Sequence, residues 1–321
     1  MDVIEYGRNN RPFMWSFEKY LYRQLNPLCP SITDTDCEKY LGRNFSYFIF
    51  DKYKNTYGVL LDSSDGSGAQ PHDDSLKLEV WDKILKRNNV KDFIIFKMQC
   101  GANDIFNEYY PLPSSKTFPL GYFTDVPDWA YGYKKAMAYY YFARPKDIDF
   151  FWAGTIDYTH EPWAWPKKKD IRHWQPGQRI EGYKILKDIK ERHPEWNIII
   201  SDKPQYPKDV YLDMIMRSKV CIELPGIGGF TTRFFENLIL GKCILSRKLL
   251  HQLPYELKED FHYASMGPDF SKMEERMEEL INNPREMYTI ETNTRLCQKY
   301  LTHEYAYENM VKVMEEQLWG K

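Results

Sequence analysis

Ser218 to Ser246 reads SKVCIELPGIGGFTTRFFENLILGKCILS, and this stretch decides the fold. Val220 to Leu224 is an apolar run of strand length, too short for a helix. It breaks into Pro225, Gly226, Ile227, Gly228 and Gly229, a turn made of the strongest local punctuators. A helix then fits Arg233 to Leu240, Gly241-Lys242 ends it, and Cys243 to Leu245 opens a new apolar run. Strand, glycine turn, amphipathic helix and strand form the repeating unit of a parallel sheet covered on both faces.

The same alternation extends upstream. Asp149 to Ala153 is a strand; Ile180, Tyr183, Leu186 and Ile189 recur at helical spacing; Asn197 to Ile200 is a strand and Val210 to Met216 a helix. This half is expected to be a Rossmann-like domain. Earlier in the chain, strands are expected at Tyr47 to Phe50 and Tyr57 to Leu61, a helix through Leu76, Val80, Ile84 and Leu85, and an apolar strand at Phe93 to Met98. That order also reads as an α/β unit. At roughly 150 residues per domain, 321 residues suggest about two. The helical stretch Tyr133 to Phe142 and the breaker Arg144-Pro145 put the boundary near 145, giving domains 1–145 and 146–321 with a cleft between them. The tail carries helical patterns only, and its last helix, around Glu304 to Leu318, is open to crossing back to the first domain.

Composition excludes several classes. Lys plus Arg is 44 and Asp plus Glu 46, for a net charge of −2, which disfavours a general nucleic-acid binder. No run approaches the roughly 18 apolar residues of a membrane-spanning helix, and Met1 to Phe13 has no apolar signal core. The expected protein is soluble and cytoplasmic, or luminal in the secretory pathway if it is the trimmed part of a longer chain. Six cysteines without a Cys-x-x-Cys pair read as buried thiols, although Cys29 and Cys37 can bridge in an oxidising compartment.

In open parallel sheets, ligands bind at the carboxyl ends of the strands. The turn after Leu224 offers Pro225 and Gly226 for close backbone approach, the hydroxyls of Thr231 and Thr232, a helix N-terminus, and Arg233 as a fixed cation. Together these suit a diphosphate. Glu236, at i+3 from Arg233, can accept hydrogen bonds from a ribose. The plain alternative is a tight turn capped by Thr231 or Thr232 with an Arg233–Glu236 surface pair.

Ser218 to Ser246, together with DFFWAG at Asp149 to Gly154 and the arginine-led helix at Arg179, resembles the donor-sugar signature of GT-B glycosyltransferases. It is most similar to the exostosin-like family and to the protein O-glucosyltransferases. The likeness covers about residues 148–250. It implies a nucleotide-sugar donor, with a UDP-sugar of the xylose, galactose, glucose or glucuronate class favoured and a GDP-sugar second. The acceptor would be an oligosaccharide or a glycoprotein. Arg233 would meet the diphosphate, Glu236 the ribose, and Gly154, Thr155 and Arg179 would approach the donor. The loop from Ser201 to Tyr211 would flank the base, with Tyr206 stacking on it or serving only as a turn aromatic. The sequence departs from the family in His160 to Gln178, which is rich in tryptophan and lysine and suits either sugar and phosphate contacts or a packed flap.

An inverting transfer needs a base for the acceptor hydroxyl, which a GT-B enzyme supplies from its N-terminal domain. Asp73, beside His72 and Asp74, is the first candidate and Asp62, at a strand's carboxyl end, the second; a helix N-cap is the alternative role for Asp73 or Asp74. The Asp-x-Asp pairs at Asp34/Asp36 and Asp147/Asp149 do not follow strands, so no catalytic metal and no resident cofactor are expected. A dinucleotide-dependent oxidoreductase would need Gly-x-Gly-x-x-Gly after the first strand of this domain, where Gly154-Thr155 stands instead. A non-catalytic carbohydrate-binding protein on the same fold remains an alternative.

Overall fold

The computed structural model describes residues 2–7, 15–25, 45–62, 74–98, 114–121, 145–156, 178–202, 206–225, 231–249 and 252–320. The chain divides into two compact units. The first holds Met1–Asp125, His251–Tyr255 and Thr302–Lys321, and the second Val126–Leu250 and Glu256–Leu301. The helical stretch expected at Tyr133 to Phe142 lies outside the described residues. Among the described residues each unit has its own five-stranded sheet, and helices complete the α/β make-up.

The first sheet runs in the order β1 (Asp2–Gly7), β2 (Phe45–Lys52), β3 (Asn55–Asp62), β4 (Asp92–Lys97) and β5 (Thr117–Pro119). β1–β2 and β2–β3 are antiparallel, whereas β3–β4 and β4–β5 are parallel. Lys52 pairs with Asn55, so β2 and β3 are joined by a two-residue turn, Tyr53-Lys54, with φ of 52° and 63°. Two left-handed residues give the turn whose twist matches that of the flanking strands. Tyr-Lys is not the Asn-Gly dipeptide that advertises such a hairpin, and the sequence reading contains no hairpin here. The parallel step from β3 to β4 requires a crossover, which α2 (Asp74–Arg87) supplies. Its Trp81 and Ile84 pack on Tyr47, Ile49, Leu60 and Ile95. Within this unit α8 (His303–Met314) packs against α1 (Trp15–Leu25) through Tyr307 and Tyr20, and Trp319 lies edge-on to Phe50 and Tyr57.

The second sheet is parallel throughout, in the order β10 (Ala264–Ser265), β9 (Cys243–Ser246), β8 (Ser218–Ile222), β6 (Ile148–Ala153), β7 (Ile198–Ser201). Successive side chains of a strand point to opposite faces, and both faces are buried. Phe150, Trp152, Val220, Ile222 and Leu245 meet Leu186 and Ile189 of α3 (Gln178–Arg192) and Met273, Met277 and Leu280 of α6 (Met273–Asn282). Ile148, Phe151, Ala153 and Cys221 meet Leu212, Ile215 and Met216 of α4 (Lys208–Arg217). Helix α5 (Thr232–Ile239) runs from β8 towards β9, and Gly241 at φ 65° lets the chain leave it in the left-handed conformation. After α6 comes α7 (Pro284–Leu296). Cys221, Cys243 and Cys297 are buried and unbridged; burial pushes the Cys221 thiol up to about 12 and the Cys297 thiol to about 11. Cys29, Cys37 and Cys100 lie outside the described residues. No described helix is long and apolar enough to cross a membrane.

Candidate functional site

One group of polar residues of the second unit lies where its strands end. β6 leads into Gly154 and Thr155, β8 into Glu223, Leu224 and Pro225, and α3 and α5 begin at the same edge. Arg233 lies in the first turn of α5. Its guanidinium sits 5.3 Å from the centre of the Trp152 ring and lies flush against Gly154, where any Cβ would overlap it. Here the glycine serves close approach rather than an unusual backbone angle. Arg233 Nη1 is 3.7 Å from Glu223 Oε2, with the two side chains 14% and 3% exposed. A hydrophobic strand thus ends in a buried carboxylate that faces the cation of the next helix.

Thr231 joins the two. It is the N-cap of α5, its Oγ1 accepting from Phe234 N at 3.2 Å while its hydroxyl donates to Glu223 Oε1. Burial pushes the Glu223 carboxyl above the ordinary carboxylate range, against the pull of Arg233, Thr231 and Arg179. The capping role named as the alternative for Thr231 is therefore present. The Arg233–Glu236 surface pair is not, since both side chains are largely buried and Glu236 Oε2 instead accepts from Tyr211 Oη at 3.0 Å. Desolvation, then the Glu236 charge, hold the Tyr211 hydroxyl well above its usual range.

Arg179 ties the loops together. Its Nε donates to the carbonyls of Leu224 (3.1 Å) and Pro225 (3.2 Å), and its Nη1 donates to that of Thr155 (2.9 Å). One buried guanidinium thus fixes the backbone after β6 to the backbone after β8. Ser201 ends β7, and its carbonyl accepts from Gly154 N at 3.0 Å. Tyr206 packs on the cluster around Phe151 and Ala153, and Thr232 opens α5. Gly226 lies outside the described residues, as does the tryptophan-rich stretch from His160 to Gly177.

Asp73 and His72 also lie outside the described residues. Asp62 is at the end of β3, opposite Lys97 at the end of β4, and its Oδ2 accepts from Lys97 Nζ at 2.9 Å with both side chains fully buried. Asp147 and Asp149 sit at the other, amino-terminal end of β6. There Arg217 holds Asp147, and Lys219 Nζ and Asn197 N bond Asp149 at 2.6 and 2.7 Å. Asp34 and Asp36 are not among the described residues. Among those that are, no group of three or more His, Cys, Asp or Glu side chains is placed to hold a metal ion.

Sequence reasoning gave no role to Glu223, Tyr211 or Trp152. For Glu223 the signal was present as the one charged residue in an otherwise apolar run, Val220 to Leu224. Tyr211 had none, because only tertiary packing brings α4 against α5. The Gly154–Arg233 contact is tested by Gly154→Ala. Overpacking typically costs about 1–3 kcal/mol, so the denaturation midpoint is expected to fall and the Arg233 side chain to shift in a crystal structure of the variant. An unchanged midpoint with an unmoved arginine would refute the contact.

Fold and site together define a two-unit α/β protein whose second, Rossmann-like unit concentrates two arginines, two glutamates and a capping hydroxyl at the carboxyl edge of a parallel sheet. No family model and no curated protein sequence matches the chain. Among solved structures, sucrose-phosphate synthase from Thermosynechococcus elongatus superposes with a TM-score of 0.40 at 14% identity, over 81% of this chain and 68% of that one. Anabaena Alr3699/HepE, solved in complex with UDP and glucose, superposes with a TM-score of 0.43 at 10% identity, over 79% of this chain and 71% of that one. Likenesses of this grade define neither a shared site nor a shared substrate.

Proposed function

We propose that the chain is a nucleotide-sugar-dependent glycosyltransferase whose donor site is the carboxyl edge of the second sheet. The observation that carries the reading is Arg233, seated in the first turn of α5 against Gly154. There the cation and the helix N-terminus favour the same anion. The resemblance of residues 148–250 to GT-B donor signatures supplies the ligand class: a nucleoside diphosphate carrying a sugar, UDP first and GDP second. In this reading the leaving diphosphate is offset by Arg233 and the helix N-terminus without a metal ion. Glu236 is the candidate for the ribose hydroxyls, by exchange with the Tyr211 hydroxyl it now accepts. Transfer inverts the anomeric centre: an acceptor hydroxyl attacks as a first-unit carboxylate takes its proton. Asp73 is the first candidate for that base, because Asp62 is already committed to Lys97.

The test is calorimetric. UDP, GDP and dTDP are screened for thermal stabilisation, a ligand at 100 times its dissociation constant adding about 2.7 kcal/mol. The nucleotide that binds is then titrated into Arg233→Ala. Charge-assisted bonds contribute about 1.5–3 kcal/mol each, so affinity is expected to drop at least about tenfold with the fold retained. Unchanged affinity would remove the diphosphate role, and a product of retained configuration would remove the inverting mechanism.

A further inference from the structure

We propose that Glu223 is the internal counter-ion of Arg233, and that a diphosphate bound at the first turn of α5 takes its place as Glu223 acquires one proton from solvent. The inference rests on the donor-site reading above and deepens it, making Glu223 a positioning residue whose charge the donor must displace.

The geometry carries the argument. The Glu223 carboxylate is almost wholly buried, and its two oxygens are differently occupied. Oε1 accepts from Thr231, whereas Oε2 faces Arg233 Nη1 at 3.7 Å, an ion-pair distance too long for a hydrogen bond. Among the described residues Oε2 has no hydrogen-bond partner. The groups that act on this carboxyl come from every side of it. Arg233 and Glu236 belong to α5, Thr231 caps that helix, and Arg179 comes from α3; Tyr211 of α4 acts through its bond to Glu236. Arg233 and Arg179 favour the charged form, while burial and Glu236 oppose it.

A diphosphate beside Arg233 brings negative charge next to a carboxylate that already resists ionisation, and two like charges in a buried site cannot both be retained cheaply. The carboxyl yields by protonation. One proton from solvent bonds to Oε2, the oxygen without a hydrogen bond, and no other covalent bond changes. Protonation weakens the hold of Glu223 on the Arg233 guanidinium and turns that cation toward the phosphate, while Thr231 continues to bond Oε1. Before binding, the same ion pair sets a counter-charge beside the Arg233 guanidinium where it lies against Gly154.

The test counts protons. UDP is titrated into the full chain by calorimetry near pH 7 in two buffers of different ionisation enthalpy, and the difference in apparent heat gives the protons taken up. The expected result is net uptake approaching one proton per UDP. The nucleotide's own terminal phosphate ionises near pH 6, and a phosphate drawn to an arginine loses a proton, so it contributes with the opposite sign. Uridine, which carries no phosphate, is expected to bind without uptake.

In Glu223→Gln, which keeps the shape and removes the charge, uptake is expected to vanish. UDP is expected to bind at least about tenfold more tightly than to wild type at pH 7.5, the equivalent of one pKa unit of linkage. A merely structural glutamate predicts the reverse: weaker binding in the variant and no proton uptake in the wild type. If the variant fails to fold, the wild-type proton count still decides. UDP binding without uptake overturns this inference and leaves the donor site standing. Absence of binding by UDP, GDP and dTDP overturns the donor-site reading and this inference with it. If GDP is the nucleotide that binds, the same count is made with GDP.

Discussion

Lys97→Met is expected to destabilise the first unit by about 3–5 kcal/mol, the usual cost of removing one member of a buried ion pair. Lys97 and Asp62 stand side by side in the β3–β4 register, both fully buried and 2.9 Å apart. With the lysine gone, the Asp62 carboxylate loses the cation that offsets its desolvation at the buried carboxyl ends of two neighbouring strands. Chemical denaturation of the variant beside wild type is the measurement. The double variant Lys97→Met, Asp62→Leu, which removes both charges, is expected to recover most of the loss, because a well-packed apolar pair often matches a buried ion pair. A midpoint near wild type for the single variant would show that the pair contributes little.

Asp73→Asn is expected to cut turnover about 10²- to 10⁴-fold, the contribution typical of a positioned base, while leaving nucleotide affinity and melting temperature nearly unchanged. An acceptor hydroxyl is a poor nucleophile until its proton has somewhere to go, whereas under the proposed function donor binding rests on Arg233 and the helix N-terminus beside it. Asp62→Asn is the informative companion. Because Asp62 holds Lys97, this change is expected to lower the melting temperature whatever its effect on turnover. A loss of activity in Asp62→Asn counts as catalytic only where the folded fraction is unchanged. Normal turnover in Asp73→Asn with a stable, inactive Asp62→Asn would move the base to the end of β3. Full activity in both would leave the reaction without a first-unit aspartate.

The strands and helices of residues 148–246 are readable from the chain alone, since each carries a short apolar run or a helical spacing that no other element competes for. Ile148–Ala153, Ser218–Ile222 and Cys243–Ser246 fall within a residue or two of the runs that announce them. Gly241, at the end of the helix it terminates, is readable for the same local reason: few other residues accept a φ of 65° without strain. Arg233 is equally readable, as a cation at a helix start after a glycine turn.

What the local pattern left open was decided by contacts far apart in sequence. Arg179 reads as a donor-side cation at a helix start; that in the fold it also bonds three carbonyls, 24 to 46 residues away, and pins them together has no local signal. Glu236 reads as a surface partner for Arg233 and is instead buried against Tyr211. The Tyr53-Lys54 hairpin has no local advertisement, because the pairing of β2 with β3 selects a left-handed turn that Tyr and Lys would not adopt by preference. Sequence determines such periodic and local features because they depend on neighbours within a few residues. Which charge meets which, and whether a carboxylate ends in water or against an arginine, depends on the order β10-β9-β8-β6-β7 that sets the strand ends side by side. Glu223 is the sharpest case: an isolated acid in an apolar strand is visible in one dimension, and its partner, ten residues on, becomes its counter-ion only when β8 and α5 turn back on each other.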